Sequence, residues 1–283
     1  MSRTCRHIPE SVQPRPVYRA FTASHRGGAG SPLVCLHGFM ETWRTWELVL
    51  PALERRHDVL APTRPGHAGG PPLEGEPTGQ LMADAVERAM DEAGFDTAHV
   101  VGSSLGGFVA LQLAARGRAR TVVAFAPAGG WAAGDTLLAE VVALQARLHE
   151  QARATAPHAE AIVATDEGRR RATQLDGSSY EHIPPELIAH QMLAVASAGG
   201  AAALIEHGLR EGYDELDAQA IACPVRIVWG TGDRLLPWPS AAARFRHEWL
   251  PHADWVELDG VGHSPQLDVP LEAAQLILGF TAD

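Results

Sequence analysis

Hydrophobic positions along this chain follow two rhythms. Between residues 32 and 125, short unbroken apolar runs alternate with longer stretches of helical spacing. The runs are Pro32-Leu33-Val34-Cys35-Leu36, 58–62, Ala98-His99-Val100-Val101-Gly102 and 121–125. A run that is apolar at every position predicts a strand covered on both faces. Between the runs, 43–56, 78–93 and 104–116 repeat apolar residues at helical intervals. Trp46, Leu50 and Leu53 share one side of the first, and Gly94 stops the second. This alternation predicts a parallel sheet with helices packed on it. Upstream, 17–24 alternates weakly and reads as an early strand. His25-Arg26-Gly27-Gly28-Ala29-Gly30 then reads as a turn, because glycine takes positive φ without strain.

The second rhythm occupies 131–219, where no strand pattern is found. Alanine-rich helical stretches fill it, over 136–154, 158–173, 185–196 and 201–210. Strands resume with Pro224-Val225-Arg226-Ile227-Val228-Trp229 and with 255–258, and a last helix covers 271–280. The pattern predicts a core made of 1–130 and 220–283, interrupted by a helical cap over 131–219. No internal repeat or low-complexity tract is present.

Composition narrows the classes of function. At 283 residues, 46% hydrophobic and 20% charged, the chain is long enough to bury a sizeable core. Its net charge is −11, and its densest basic runs are Arg169-Arg170-Arg171 and the trio Arg116, Arg118 and Arg120. Those read as solvated helix faces, which argues against a nucleic-acid partner. Three cysteines, Cys5, Cys35 and Cys223, cannot form a complete disulfide framework and have no metal spacing. Residues 1–10 carry Arg3 and Arg6 but no apolar stretch after them, and no window approaches 18 apolar residues. A cytoplasmic protein with no membrane partner, acting on a small molecule, is expected.

The strongest chemical signal is Gly102-Ser103-Ser104-Leu105-Gly106, a G-x-S-x-G pattern between a predicted strand and a predicted helix. Glycines two residues either side of Ser104 leave room for a sharp turn that lifts the hydroxyl above the sheet. Ser103 fails this test, because Val101 occupies its preceding glycine position. A dinucleotide fingerprint would need glycine at 104, so no such cofactor is expected. A serine hydroxyl is a weak nucleophile until a base takes its proton. Downstream, Asp233 follows one predicted strand in Trp229-Gly230-Thr231-Gly232-Asp233. His263 follows the next in Gly260-Val261-Gly262-His263-Ser264-Pro265. Carboxyl ends of parallel strands are where such sheets bind ligands. The first strand ends in His37-Gly38-Phe39-Met40, whose backbone N–H groups, Phe39 foremost, are candidates to hold an oxyanion together with that of Leu105. His37 precedes the nucleophile and reads as a brace for this loop. His247-Glu248-Trp249-Leu250-Pro251-His252 places its second histidine one position too late for a zinc helix, so no metal is expected. Trp131 and Trp238 each follow a strand end and are candidates to line a substrate pocket.

Together with Arg64-Pro65-Gly66-His67-Ala68-Gly69, these segments resemble the α/β-hydrolase superfamily from about residue 17 onward. The resemblance implies an α/β fold with a mostly parallel eight-stranded sheet and a helical cap inserted between its sixth and seventh strands. It also implies a cofactor-free serine hydrolase with Ser104 as nucleophile, His263 as base and Asp233 as supporting acid. Residues 64–69 depart from the usual D-x-R-G-x-G, a loop that is structural in the family. Relatives that open epoxides or carbon–halogen bonds place aspartate where this chain has Ser104. The glycine-rich oxyanion segments of proline iminopeptidases and aldol-type C–C hydrolases are missing. A carboxylic ester, lactone or thioester is therefore the expected substrate. A same-fold lyase, C–C hydrolase, perhydrolase or haloperoxidase is the alternative, and a non-catalytic ligand receptor the more distant one.

Overall fold

The computed structural model describes residues 20–131, 135–211 and 216–282. Seven strands form one sheet among them: β1 (Ser24–Gly28), β2 (Ser31–Leu36), β3 (His57–Pro62), β4 (Ala98–Ser103), β5 (Ala119–Phe125), β6 (Val225–Gly230) and β7 (Asp254–Leu258). Their order is β1-β3-β2-β4-β5-β6-β7, with β1 antiparallel to β3 and every other pairing parallel. Side chains of β2 and β5 leave alternately to two cores. Val34, Leu36, Val122 and Ala124 enter one, and Leu33, Cys35, Val123 and Phe125 the other. Burial on both faces is why these strands read as continuous apolar runs.

Among the described residues the sheet has seven strands where eight are expected. The early strand expected over 17–24 lies partly outside the described residues, and 20–23 are not in a strand. The segment read as a turn instead supplies β1. Glycine stands at 27 and 28 because the end of the next helix lies against this edge. A Cβ on Gly27 would come within 2.5 Å of Glu54 Oε1, and one on Gly28 within 2.2 Å of the His57 carbonyl oxygen. The turn proper is confined to Gly28–Gly30, where both glycines have positive φ.

The helix expected over 43–56 is divided into a 3₁₀ turn, Trp43–Trp46, and the single-turn α1 (Leu50–Leu53). Pro51 has no N–H to give and its ring would strike the carbonyl four residues back, so no continuous helix can pass. Helix α2 (Gly79–Glu92) is capped by the Thr78 hydroxyl, which accepts from Leu81 N–H, and Gly94 closes it with positive φ. Helix α3 (Leu105–Ala115) is buried at almost every position, between the sheet and its neighbours.

Among the described residues, five α-helices lie between β5 and β6: α4 (Thr136–Thr155), α5 (Ala159–Val163), α6 (Asp166–Thr173), α7 (Pro185–Ser197) and α8 (Ala201–Glu211). The helix expected over 158–173 is thus two, separated where the Thr165 hydroxyl caps α6 by accepting from Gly168 N–H. The insert is anchored to the core at named points. Buried Arg44 makes a bidentate pair with Glu186 at 2.9 Å on each arm. Thr42 and His190 share a hydrogen bond of 2.9 Å, and Gly200 N–H donates to the Gly66 carbonyl at 2.8 Å. Helices α9 (Pro265–Asp268) and α10 (Pro270–Leu278) complete the chain order. No single helix among the described residues is long and apolar enough to cross a membrane.

Strand register decides where the site lies. Leu36 pairs with Gly102, Ser103 with Phe125, Phe125 with Val228, and Gly230 with Leu258. The carboxyl ends of β2, β4, β6 and β7 therefore share one edge. Chain order reverses at β2, whose neighbours are β3 on one side and β4 on the other, and such a reversal opens a crevice.

Candidate active site

The turn from β4 into α3 is built by exclusion of side chains. A Cβ on Gly102 would stand 2.2 Å from the Gly106 carbonyl oxygen. One on Gly106 would meet the carbonyls of Leu36 and His37 at 2.3 and 2.4 Å. With those glycines in place, Ser104 is held at φ 54 and ψ −120, a region L-residues avoid. Its backbone N–H donates to the Phe125 carbonyl at 2.8 Å, which fixes the turn to β5. Such strain costs about 1–3 kcal/mol and persists only where the surroundings impose it. Ser103 points elsewhere: its buried hydroxyl accepts from Gln266 Nε2 at 3.3 Å.

Loops after β6 and β7 bring Asp233 to His263. They lie so close that a Cβ on Gly230 would be 2.2 Å from the Val261 carbonyl oxygen. Asp233 Oδ1 accepts two backbone N–H groups, from Leu235 and Leu236, at 2.8 Å each. Its Oδ2 takes a hydrogen bond from His263 Nδ1 at 2.7 Å, with both side chains buried. The proton is thereby held on Nδ1, which leaves the Nε2 lone pair for a proton acceptor's work. Nε2 is buried and carries no hydrogen bond, so the expected bond to Ser104 is not made in this state. Gln266, three residues after His263, reaches both Ser103 and Thr45 and so ties the histidine loop to the serine turn.

The loop after β2 is braced as expected. His37 is fully buried, its Nδ1 bonded to the Gly38 carbonyl at 2.7 Å and its Nε2 accepting from Arg64 N–H at 2.9 Å. Both ring nitrogens are engaged. Burial, with Arg64 and His67 nearby, keeps its pKa well below the ordinary imidazole value. Arg64 Nη2 donates to the carbonyls of His37 and Gly38, and Gly38 N–H donates to Glu41 Oε2 at 2.7 Å. Those bonds hold the carbonyls of His37 and Gly38 on Arg64 and occupy Gly38 N–H. Phe39 and Leu105 both border the cavity beside Ser104.

That cavity encloses about 820 Å³ of empty space, its mouth to solvent included. Met82, Phe108, Trp131, Val141 and Leu236 make it apolar, and Gln145 and His207 are polar exceptions on the wall formed by α4 and α8. Trp131, one of the two tryptophans singled out in the sequence, lines this cavity. Trp238 does not: it packs near Trp229 and Trp255, with Arg246 over its ring, because the chain after β6 turns it onto the sheet edge. Among the described residues no group of three metal-ligating side chains comes together.

Sequence reasoning does not single out Glu41, Asp176, Gln266 or Asp268, which surround these loops. Glu41 follows the His37-Gly38-Phe39-Met40 loop closely enough to be noticed; the others carry no local signal. Burial pushes the Asp176 carboxyl up, to about 7, helped by Glu41 and Asp233 and opposed by His263. For His263, burial alone would lower the pKa. Asp233 outweighs it, with Asp176 and Glu41 adding, and the net direction is upward. In the role of a base His263 would have to be neutral, and kcat/KM would then rise along an acid limb lying above the ordinary imidazole value of about 6.5. A pH–rate profile that is flat from acid to neutral, or a limb below that value, would contradict the arrangement. Stability follows the same displacement. His263 contributes stability that is complete below its unfolded pKa and is lost as pH climbs through the higher folded one.

Comparison with known proteins agrees with this architecture. A family model described as alpha/beta hydrolase fold matches residues 31–270. Epoxide hydrolase EphH of Mycobacterium tuberculosis is 35% identical over 222 residues, covering 71% of this chain and 93% of the relative. The pimeloyl-[acyl-carrier protein] methyl ester esterase of Aromatoleum aromaticum is 31% identical over 258 residues, covering 87% and 96%. Among solved structures, a thermophilic esterase from Thermogutta terrifontis superposes with a TM-score of 0.69 at 23% identity, covering 91% of each chain. With the sheet order, the serine turn and the family match in agreement, the chain belongs to the α/β-hydrolase superfamily and is a hydrolase of that fold.

Proposed function

We propose that this protein hydrolyses a small, largely apolar carboxylic ester, lactone or thioester through an acyl-enzyme on Ser104. The observation that carries the reading is a serine in a strained turn, opening on an apolar cavity, beside a loop whose histidine is oriented by a buried carboxylate. In this mechanism Ser104 Oγ attacks the carbonyl carbon while His263 Nε2 takes its proton. The tetrahedral oxyanion is held by the N–H groups of Phe39 and Leu105, the latter at a helix N-terminus where the dipole favours negative charge. His263 then returns the proton to the leaving alkoxide or thiolate. Water, deprotonated by the same histidine, releases the acid and restores the serine. The helices of 131–219 act as the cap over a core of 1–130 and 220–283.

The epoxide hydrolase among the relatives raises a second reading, which the nucleophile disfavours. A carboxylate that opens an epoxide forms an ester, which water can cleave at its carbonyl. Ser104 in the same role would be left as an alkyl ether, with no carbonyl to attack. Turnover on that route would stop after one event.

Chain length tests both ester and pocket. Each methylene transferred into the cavity contributes about 0.8 kcal/mol, or about fourfold in kcat/KM where binding is uniform. Across nitrophenyl esters from acetyl to dodecanoyl, kcat/KM should climb, peak at short to medium acyl chains and fall once the space is full. No hydrolysis of any member would sink the esterase reading. A monotonic rise to dodecanoyl, or no dependence on chain length, would leave the chemistry standing and refute a pocket of limited depth.

A further inference from the structure

His263 is bracketed by the insert. On one side of it, Gly262 N–H donates to Asp268 Oδ2 at 2.7 Å; on the other, Ser264 N–H donates to the Asp176 carbonyl at 2.7 Å. Asp268 is buried, and its carboxylate also receives Ser178 N–H at 2.9 Å, Ser179 N–H at 2.8 Å and the Ser178 hydroxyl at 3.0 and 3.1 Å. Its hydrogen bonds are thus shared between the histidine loop and residues 178–179 of the insert, with no cation in the set. The surfaces touch backbone to backbone. A Cβ on Gly262 would lie 2.7 Å from Gly177 Cα and 2.9 Å from the Asp176 carbonyl oxygen. His182 adds an outer tie, its Nε2 bonded to the Leu267 carbonyl at 2.6 Å.

A core carboxylate that needed only local capping would not collect donors from a segment some 90 positions away. We infer that Asp268 is a positioning residue: it fixes the backbone of the His263 loop against residues 176–179, so the base is placed only when the insert is seated. The inference rests on the reading of Ser104 and His263 as nucleophile and base. Residues before and after the histidine are both held through the insert, directly or through Asp268. Movement of that segment therefore releases both neighbours together, while Asp233 keeps its own anchors on Leu235 and Leu236. Misplacement by about 1 Å at a distance from the reacting atoms costs about 10²-fold in rate.

The test compares Asp268→Asn with the wild-type chain. Asparagine turns an amide N–H₂ toward backbone N–H donors, so one side of the clamp must open. Expected are a kcat lowered by about 10²-fold, KM within about twofold, and fluorophosphonate labelling of Ser104 slowed by the same factor. The low-field proton resonance of the His263 Nδ1–H···Asp233 bond should broaden or vanish. A folded variant with unchanged melting temperature, wild-type kcat and an unchanged resonance would overturn the inference. Should Asp268→Asn not fold, His182→Ala removes only the outer tie. It should lower kcat several-fold at constant KM, and a wild-type rate there also overturns the inference. A wild-type chain that hydrolyses no ester and takes no label defeats the hydrolase reading instead. The low-field resonance, which needs no turnover, then still decides whether Asp268 holds His263.

Discussion

Replacing Ser104 by alanine should remove a factor on the order of 10⁴–10⁶ from kcat while leaving the fold intact. The size of the loss follows from the route: without the hydroxyl there is no acyl-enzyme, and only the oxyanion donors and the pocket remain to assist water. The fold should survive because the Ser104 side chain makes no cap hydrogen bond in α3. Alanine must adopt the same positive φ, so strain is unchanged between the two. A fluorophosphonate, which an activated serine attacks at phosphorus, should modify Ser104 in the wild-type protein and nothing in the variant. Peptide mass mapping locates the adduct. Labelling at Ser103, or an alanine variant with wild-type turnover, would remove Ser104 from the mechanism.

Asp233→Asn should lower kcat by about 10⁴-fold, and the cause is a wrong tautomer rather than a lost charge alone. In the native site the two carboxylate oxygens have separate duties. Oδ1 is committed to the N–H groups of Leu235 and Leu236, and Oδ2 faces His263 Nδ1. An asparagine can keep the first duty only by placing its oxygen on the backbone donors. Its N–H₂ then points at Nδ1 and forces that nitrogen to accept. The imidazole proton moves to Nε2, where a lone pair is required. Geometry should be preserved, so KM should change little while kcat collapses. A loss below about tenfold would show that Asp233 does not set the tautomer.

How far these residues were legible in the sequence depends on the range of the forces that place them. The serine turn is a local device, since Gly102 and Gly106 are required by backbone atoms of the turn itself and of the neighbouring strand. A G-x-S-x-G pattern between two elements therefore carries its own evidence. Strands β2 to β6 were legible because burial on both faces leaves a largely apolar run, whereas β7 is exposed at Asp254 and Glu257 and shows only the short run Trp255-Val256 and Leu258. β1 was not. It is an edge strand with alternate positions exposed, and its glycines answer to Glu54 and His57, which no local pattern announces. Trp238 misled because position after a strand does not say which way a ring turns. Asp268 and Asp176 were invisible for a related reason: each gains its meaning from the other's segment across the fold.

The insertion point of the helical block also bears on how the chain is made. β5 takes β6 as its parallel neighbour, with Phe125 opposite Val228, so about 100 residues must leave the ribosome between the two. At roughly 5–20 residues per second, that is a wait of roughly 5–20 s. Throughout it, the strand Ala119–Phe125 has an unpaired edge bearing apolar side chains on both faces. Open edges of that kind recruit other chains. The sequence synthesised next, and so arriving before β6, is the helical block itself. Its alanine-rich helices form from local contacts in microseconds or less. A nascent chain stalled near residue 220 would thus be half sheltered and without Asp233 or His263, and release from that state depends on two late strands arriving.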